Sequence, residues 1–298
     1  MKSKKLRVLL VVLLLAVSSY WWLFVESGAP NGTFLLDLTE LRALADSMPG
    51  DKPELIRVEE MAQVEYPRVA VLAGSGWAFA KLPVFSYQLG YMDRTVMVDT
   101  GLDPAAAKNP SPADLEAFKR IATGLEKASL IVVTHEHFDH LGGLAAHPKR
   151  SELAVKLTDE QLADPSKREP LVLPEGAFKN RVPFSYERAV AIAPGVVLWK
   201  APGHTPGSQL VFIKRKDGEE FLLLGDVAWY AQNYEEVRER ARLVTLIMGE
   251  DREGVLRQLA AIRALSAAEP RLHIVPGHDG PAMKKLLGAG FITAQFAP

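Results

Sequence analysis

Residues 130–143 read LIVVTHEHFDHLGG, an apolar run followed at once by a cluster of histidine and carboxylate side chains. Four potential metal ligands, His135, His137, Asp139 and His140, fall within six residues. Zinc accepts imidazole and carboxylate ligands, and a loop that leaves a strand can turn successive side chains toward one point. The whole chain has only seven histidines, which makes an accidental histidine-rich surface loop a poor explanation. The stretch therefore predicts a metal site at the end of a strand.

Three later loops carry the further ligands that a two-metal site requires. His204 lies within PGHTPGS, Asp226 follows the apolar run LLLG, and His278 ends the tripeptide PGH. Each loop follows its own apolar run, which is typical of a strand. Four strand ends are thus expected to converge on one centre.

The order and spacing of these residues resemble the metallo-β-lactamase superfamily, whose pattern is HxHxDH followed by a histidine, an aspartate and a histidine. The resemblance covers about residues 68–280. It implies an α/β protein, an αββα four-layer sandwich of two mixed β-sheets flanked by helices. It also implies two Zn²⁺ ions, with Fe or Mn as alternative metals. One metal would be held by His135, His137 and His204, the other by Asp139, His140 and His278, and Asp226 would bridge them.

The chemistry implied by the resemblance is hydrolysis by an activated water. Two cations that share a water lower its pKa to near neutrality and present a bridging hydroxide to a carbonyl or ester. Asp139 would accept the proton of that water, as its counterpart in the family is proposed to do. Asp99, in the segment VDTG, resembles the family's strand-ending aspartate. We interpret Asp99 as a group that orients a ligand histidine, with a turn-capping aspartate as the alternative.

The pattern favours a small ester or lactone as the substrate. Zinc β-lactamases lack the bridging aspartate, and one group of them uses a cysteine ligand, whereas this chain has Asp226 and no cysteine. Glyoxalase II-like thioesterases carry a helical substrate domain after the last histidine, but only twenty residues follow His278. The segment 225–233 is most similar to the quorum-quenching lactonases. The alternatives are thioester or phosphodiester hydrolysis at the same centre, and a non-catalytic metal-binding module, which the intact ligand set disfavours.

One position departs from the lactonase pattern. Those enzymes place a tyrosine three residues after the bridging aspartate to position the lactone, whereas this chain has Trp229 there and Tyr230 next. A shift of one residue changes the direction in which a side chain points. Tyr230 is therefore predicted to assist catalysis only if this loop turns differently.

Composition points to a small-molecule substrate and away from nucleic acid. The 298 residues include 35 basic and 36 acidic side chains, so no strongly basic face is implied. The absence of cysteine excludes disulfides, thiolate metal ligands and a cysteine nucleophile. The sequence carries no signal for the oligomeric state.

The first 27 residues are typical of a membrane anchor. A basic start, KSKKLR at residues 2–7, precedes an uncharged apolar run at 8–25. At 1.5 Å per residue this run forms about 27 Å of helix, close to the thickness of a bilayer core. The positive-inside rule predicts inner-membrane anchoring with the remainder in the periplasm or another extracytoplasmic space. A signal peptide cleaved near AVS at residues 16–18, giving a secreted protein, is the alternative.

After a linker at residues 28–33, a single hydrolase domain at 34–298 is the simplest partition. Strands are expected at 68–72, 84–89, 95–98, 129–133, 196–200, 210–213, 221–224 and 272–275, all rich in β-branched or aromatic residues. Helices are expected at 112–127, with Ser111 as the cap, and at 252–267.

Two further features lie outside the metal pattern. The stretch 158–195 is rich in proline and charge, and we interpret it as an irregular lid over the substrate or, equally, as an ordinary surface excursion. His147 and His273 match no ligand position and are expected to be structural or exposed.

Overall fold

Two five-stranded β-sheets lie face to face, with helices on both outer sides. The computed structural model describes residues 2–106, 112–164 and 184–297. The arrangement is an αββα four-layer sandwich, and each sheet contains both parallel and antiparallel pairs. The fold predicted from the sequence is therefore confirmed.

The first sheet is built around a long hairpin. Its strands are β1 (Leu55–Pro67), β2 (Phe79–Gly90), β3 (Thr95–Val98), β4 (Leu130–Val132) and β10 (Thr293–Ala294), in the spatial order β10-β1-β2-β3-β4. β1 and β2 pair antiparallel along their whole length, and β3 pairs in parallel with β4. β2 is buried at nearly every residue because both faces of the sheet are covered, which explains its continuous apolar run.

The second sheet is a meander that ends in a parallel pair. Its strands are β5 (Ala189–Ala193), β6 (Val196–Lys200), β7 (Gln209–Lys214), β8 (Glu220–Leu223) and β9 (His273–Val275), in sequential spatial order. The first three pairings are antiparallel, whereas β8 and β9 are parallel and joined through helices. Such a crossover is what a parallel pair requires.

Helices cover the outer face of each sheet. The helices are α1 (Lys2–Tyr20), α2 (Leu38–Ala45), α3 (Arg68–Val71), α4 (Pro112–Lys127), α5 (Phe138–Ala146), α6 (Asp159–Ala163), α7 (Ala231–Glu236), α8 (Arg242–Met248), α9 (Arg252–Ala268) and α10 (Gly280–Gly288). α4 and α5 bury Ile121 and Leu141 against the first sheet. α2 and α9 bury Leu41 and Leu259 against the second. A third apolar cluster, which includes Phe85 and Leu198, fills the space between the sheets.

Most predicted elements are confirmed, but one strand is wrong. Residues 68–72 form the short helix α3 at the tip of the β1–β2 hairpin. A short apolar run does not distinguish strand from helix, and here the chain must turn between two paired strands. β1 was not predicted, since its outward positions carry charged side chains such as Glu60 and Glu65 that mask the strand pattern.

The stretch 158–195 is only partly irregular. Thr158 caps α6 with a hydrogen-bonded capping box, and β5 occupies residues 189–193 at the other end. These two elements correct the prediction of a wholly irregular segment. Residues 165–183 lie outside the described part of the chain, as does Ser111, so the lid and the cap remain predictions.

The N-terminal helix projects from the domain. Residues 4–25 form a 22-residue helical segment, whose most apolar 18-residue window has a mean hydropathy of 2.4 and is not buried. Its last five residues, Trp21–Val25, are wound as a π-helix. By length and composition this segment can cross a membrane as an anchor or act as a signal sequence.

Candidate metal centre

The predicted ligands gather at one edge of the sandwich because of where the strands end. Asp99 follows β3 and the HEHFDH segment follows β4 in the first sheet. His204 lies between β6 and β7, Asp226 follows β8 and His278 follows β9 in the second sheet. Since each parallel pair ends at the same edge, loops from both sheets meet there.

The seven side chains form two groups of potential metal ligands. The ligand atoms within each group lie within 4.8 Å of one another. The first group is His135, His137, His204 and Asp226, and the second is Asp139, His140 and His278. The structure therefore brings together all seven residues that the sequence singled out, divided as the resemblance implies.

Asp226 stands between the two groups, and its carboxylate contacts histidines of both. Its Oδ2 lies 3.4 Å from His204 Nε2 and 3.8 Å from His135 Nε2. Its Oδ1 lies 3.2 Å from His140 Nε2 and 3.1 Å from His278 Nε2. Ligand atoms of a tetrahedral zinc ion are about 3.3 Å apart, given bonds of 2.0–2.1 Å. These spacings match a carboxylate shared by two ions.

Two buried polar atoms lack the hydrogen bonds that burial normally demands. Among the described residues, His140 Nε2 and Asp226 Oδ1 have no hydrogen-bond partner, although they lie 3.2 Å apart. A buried unsatisfied polar atom is costly, so native proteins normally supply a partner or an ion. Both atoms are available as ligands, and the residues present therefore fit a metal cofactor.

Burial and neighbouring charges shift the pKa values of Asp226 and His135. Burial alone raises the pKa of the Asp226 carboxyl, but the surrounding His278, His140 and His135 rings outweigh it and hold that pKa well below its usual value. Burial, reinforced by neighbouring His140, lowers the pKa of His135 well below its usual value. An anionic carboxylate and a neutral imidazole are the forms that bind metal.

Asp99 fixes the orientation of His140. Its Oδ2 lies 2.9 Å from His140 Nδ1, and its Oδ1 accepts a 2.6 Å hydrogen bond from the backbone N–H of Thr134. Asp99 adopts a left-handed backbone conformation with φ of 60°, which aspartate and asparagine tolerate better than most residues. The opposite ring nitrogen of His140 is thereby directed at Asp226.

We expect Asp99→Asn to weaken metal binding roughly 10- to 100-fold, the usual cost of losing a partner that orients a ligand histidine. Asparagine retains the backbone conformation but removes the charge that faces the His140 ring. Competition with a chromogenic chelator measures the change in affinity. Asp93→Asn, at an exposed aspartate, is the matched control. Unchanged affinity in a folded Asp99→Asn variant would contradict this role.

The paired glycines after the ligand cluster permit close packing of α5. A Cβ atom at Gly143 would lie 2.0 Å from the Thr100 carbonyl oxygen, and one at Gly142 would lie 2.3 Å from the Asp103 nitrogen. The middle of α5 can therefore approach the loop after β3. This contact holds the HEHFDH segment beside Asp99.

Three buried charged residues support the centre without having been predicted. Glu250 Oε1 lies 2.6 Å from His204 Nδ1, and Arg240 donates to Glu250 over 2.9 Å and to the Asp226 carbonyl oxygen over 3.1 Å. Glu136 accepts hydrogen bonds from the Thr205 hydroxyl and the Gly207 N–H, and so ties the His204 loop to the first ligand loop. These contacts are long-range. Of the three residues, only Glu136 has a sequence signal, because it lies inside the HEHFDH segment.

Trp229 and Tyr230 point in different directions. The Trp229 indole N–H donates a 2.6 Å hydrogen bond to Asp226 Oδ2, and its ring lines the cavity beside the ligands. The Tyr230 hydroxyl donates to the Lys81 carbonyl oxygen over 2.6 Å instead. The structure thus brings Trp229 to the centre and does not bring the Tyr230 hydroxyl there.

The two remaining histidines lie apart from the ligand groups. His147 Nε2 is 3.6 Å from Glu126, and His273 Nε2 is 2.8 Å from Glu219. Both stand in ordinary polar contacts at other places in the fold. This placement agrees with the expectation that neither is a ligand.

An apolar cavity of about 320 Å³ opens over the ligand groups. Four potential ligands form its floor, and apolar side chains from β1, β2 and α8 form much of its walls. The residues lining it include His137, Asp139, Asp226 and His278 together with Val64, Tyr66, Leu82, Phe138, Trp229, Val244, Ile247 and Met248. The cavity can hold a molecule with a polar head at the ligands and an apolar tail.

Comparisons with known proteins agree with this geometry. The sequence model of the family described as the metallo-beta-lactamase superfamily matches residues 80–278. The N-acyl homoserine lactonase of Bacillus thuringiensis is 27% identical over 179 residues, which cover 52% of this chain and 68% of the relative. An N-acyl homoserine lactonase of Agrobacterium fabrum is 24% identical over 290 residues, covering 86% of this chain and 96% of the relative.

Solved structures share the fold. A quorum-quenching N-acyl homoserine lactone lactonase superposes with a TM-score of 0.64 at 24% identity, covering 78% of this chain and 95% of that chain. An N-acyl homoserine lactone hydrolase with N-hexanoyl-L-homoserine at its catalytic metal centre gives a TM-score of 0.63 at 22% identity, covering 78% and 96%.

Proposed function

The chain belongs to the metallo-beta-lactamase superfamily and is a metal-dependent hydrolase, and we propose that it uses two metal ions to hydrolyse acyl lactones. Zn²⁺ is the proposed metal, because histidine and carboxylate ligands in this number suit it, with Fe and Mn as alternatives. The proposed ligands are those of the two groups joined by Asp226.

The observation that carries the proposal is the position of the Asp226 carboxylate. Its two oxygens lie 3.1–3.8 Å from histidines of both ligand groups. A single-metal site would not need a second set of ligands on the far side of the same carboxylate. Two metal ions would also provide binding partners for His140 Nε2 and Asp226 Oδ1, which have no hydrogen bond.

Bound metals at such a site supply a water of lowered pKa and polarise a carbonyl oxygen. The chain's own groups would orient the reactants and handle protons. Asp139 reaches the cavity floor, where its Oδ2 lies 3.6 Å from His278 Nε2 and 3.8 Å from His140 Nε2. Asp139 is therefore placed to take a proton from the attacking water and to return it to the leaving alkoxide.

Trp229 takes the cavity-side place that the lactonase pattern gives to tyrosine. Its indole N–H fixes Asp226, and its ring supplies an apolar wall to the substrate. The catalytic role predicted for Tyr230 stays a prediction, since its hydroxyl would first have to leave the Lys81 carbonyl.

A lactone with an acyl tail suits the cavity better than the alternatives do. The walls are apolar above a floor of histidine and aspartate, and the named relatives are lactonases. A phosphodiester carries a full negative charge, and no lysine or arginine is among the described residues that line this cavity. Thioesters share the carbonyl chemistry and are the second candidate.

Activity of the zinc-loaded full chain in detergent tests the proposal. We expect acyl homoserine lactones to have the highest kcat/KM in a panel with aryl esters, acyl thioesters and phosphodiesters. Turnover should disappear after chelation and return with added Zn²⁺. Elemental analysis of the same sample gives the metal content. Phosphodiester turnover without activity on any carbonyl ester would overturn the proposal.

We propose inner-membrane anchoring through residues 1–27, a linker at 28–33 and an extracytoplasmic hydrolase domain at 34–298. The apolar segment at residues 4–25 supports this partition. Cleavage of the segment and secretion is the alternative, and the mass of the mature protein distinguishes the two.

A further inference from the structure

The C-terminal end of the N-terminal helix is bonded to the catalytic domain. The Gly74 N–H donates a 2.8 Å hydrogen bond to the Phe24 carbonyl oxygen, and the Glu239 N–H donates to the Ser27 hydroxyl over 3.2 Å. The rings of Phe24 and Trp77 lie 5.1 Å apart. This end of the helix is thus held at a defined place on the domain.

Arginines complete the attachment. Arg242 pairs with the Glu26 carboxylate, and its guanidinium lies 4.6 Å from the centre of the Trp22 ring. Arg252 donates a 2.9 Å hydrogen bond to the Glu26 carbonyl oxygen. The helix therefore contacts α8, which begins at Arg242, and also the segment that links α3 to β2.

The elements that hold the helix also form the mouth of the cavity over the metal centre. Val244, Ile247 and Met248 of α8 line one side, and Val64 and Tyr66, at the tip of the β1–β2 hairpin, line another. Since α8 begins with the arginine that binds the apolar segment, the cavity lies beside the place where that segment leaves the domain.

Exposed apolar side chains lie on these same two elements, the hairpin tip and α8. Ile247 is 76% exposed, Phe79 70% and Leu246 61%. The described part of the domain exposes eight large hydrophobic side chains, and five of them belong to the hairpin tip or α8: Tyr66, Trp77, Phe79, Leu246 and Ile247. Such clustering of exposed apolar and aromatic groups marks an interaction surface, whereas scattered single residues do not.

We propose that this surface docks on the lipid bilayer and that the enzyme takes amphiphilic acyl substrates into its cavity directly from the membrane. The lipid bilayer is the occupant because the exposed surface is continuous with a helical segment of membrane-spanning length. Apolar side chains gain free energy when they enter the acyl region, and aromatic rings favour the interface. The substrate part of this inference rests on the proposed lactone hydrolysis.

Docking would bring the acyl region of the bilayer against the apolar walls of the cavity. An acyl tail could then pass along Ile247 and Tyr66 without crossing water, while its ester or lactone head reaches Asp139 and His278 at the floor. The preferred substrates are therefore those that partition into membranes, with long acyl chains.

The absence of cysteine allows a direct test of docking. A spin label on Leu246→Cys reports the docking surface, and one on Met92→Cys is the matched control, because Met92 is 68% exposed and follows the opposite end of β2. The full chain is placed in phosphatidylethanolamine and phosphatidylglycerol vesicles. We expect the label at 246 to collide with oxygen, which dissolves in lipid, and to be shielded from an aqueous nickel complex. Equal nickel access at both positions would overturn the proposal.

Activity gives the second readout. In the same vesicles, Phe79→Ser combined with Leu246→Ser is expected to lower kcat/KM for N-dodecanoyl homoserine lactone roughly tenfold or more, since burying each such side chain is worth at least a factor of ten. Turnover of the water-soluble N-butanoyl lactone should change less than about twofold, because neither residue lines the cavity. Met92→Ser is the control. An equal loss on both lactones, or no loss on either, would overturn membrane delivery.

The two proposals can fail separately. A lipid-exposed label at position 246 in a zinc-loaded protein that hydrolyses no lactone would support docking and overturn the lactone proposal. A water-exposed label in a protein that hydrolyses both lactones would overturn docking and leave the lactone proposal supported.

Discussion

Replacement of Asp226 by alanine is expected to release at least one metal ion and to lower turnover by roughly a thousandfold or more. Its two oxygens lie 3.1–3.8 Å from histidines of both ligand groups. The variant also removes the carboxylate nearest to the Nε2 atoms of His140 and His278. Elemental analysis and steady-state kinetics measure the two effects.

His147→Ala is the matched control for this variant. Like Asp226, His147 is buried, but its ring nitrogen lies 3.6 Å from Glu126, away from both ligand groups. Metal content and turnover should stay close to those of the natural protein. If Asp226→Ala kept two metal ions per chain, the bridging assignment would fail.

Glu250→Ala is expected to destabilise the fold by roughly 3–5 kcal/mol, the usual cost of breaking a buried ion pair by removing one partner. The side chains of Glu250 and Arg240 are 0% and 1% exposed and lie 2.9 Å apart. Without the carboxylate, the Arg240 guanidinium keeps its charge in a buried place. His204 also loses the partner on its Nδ1, so metal affinity falls as well.

Urea unfolding measures this loss of stability. Replacing both partners, as in Glu250→Leu with Arg240→Met, should restore much of the stability, because the charge left unpaired is then removed too. Metal affinity should remain weakened in the double variant, since His204 still lacks its partner. Stability of Glu250→Ala equal to that of the natural protein would contradict the account.

The sequence predicted those parts of the fold and site that are encoded locally. The HEHFDH segment and its glycines are contiguous, so ligand chemistry and backbone requirements appear side by side in the chain. The strands near the centre are short and apolar, and seven of the eight predicted strands overlap observed ones. α4 was predicted with its bounds because its apolar residues recur with helical spacing.

Contacts between distant segments could not be predicted in the same way. Arg240 and Glu250 look like ordinary surface charges in the sequence, and only the folded chain buries them against His204. β1 was missed because the exposed charged side chains of Glu60 and Glu65 interrupt its apolar pattern. The direction of Tyr230 depends on the turn after the 3₁₀ segment Gly225–Val227, which a motif alone does not specify.

The proposed ligands come from both sheets, which bears on how the protein acquires its metal. Neither half of the chain contains all the ligands proposed for either ion. The His135 group includes His204 and Asp226 from the second half, and the Asp139 group includes His278. A complete ligand set therefore exists only once the two halves have docked. An exported chain would acquire its cofactor from the compartment where it folds, and the metal supply of that compartment would decide which ion the enzyme carries.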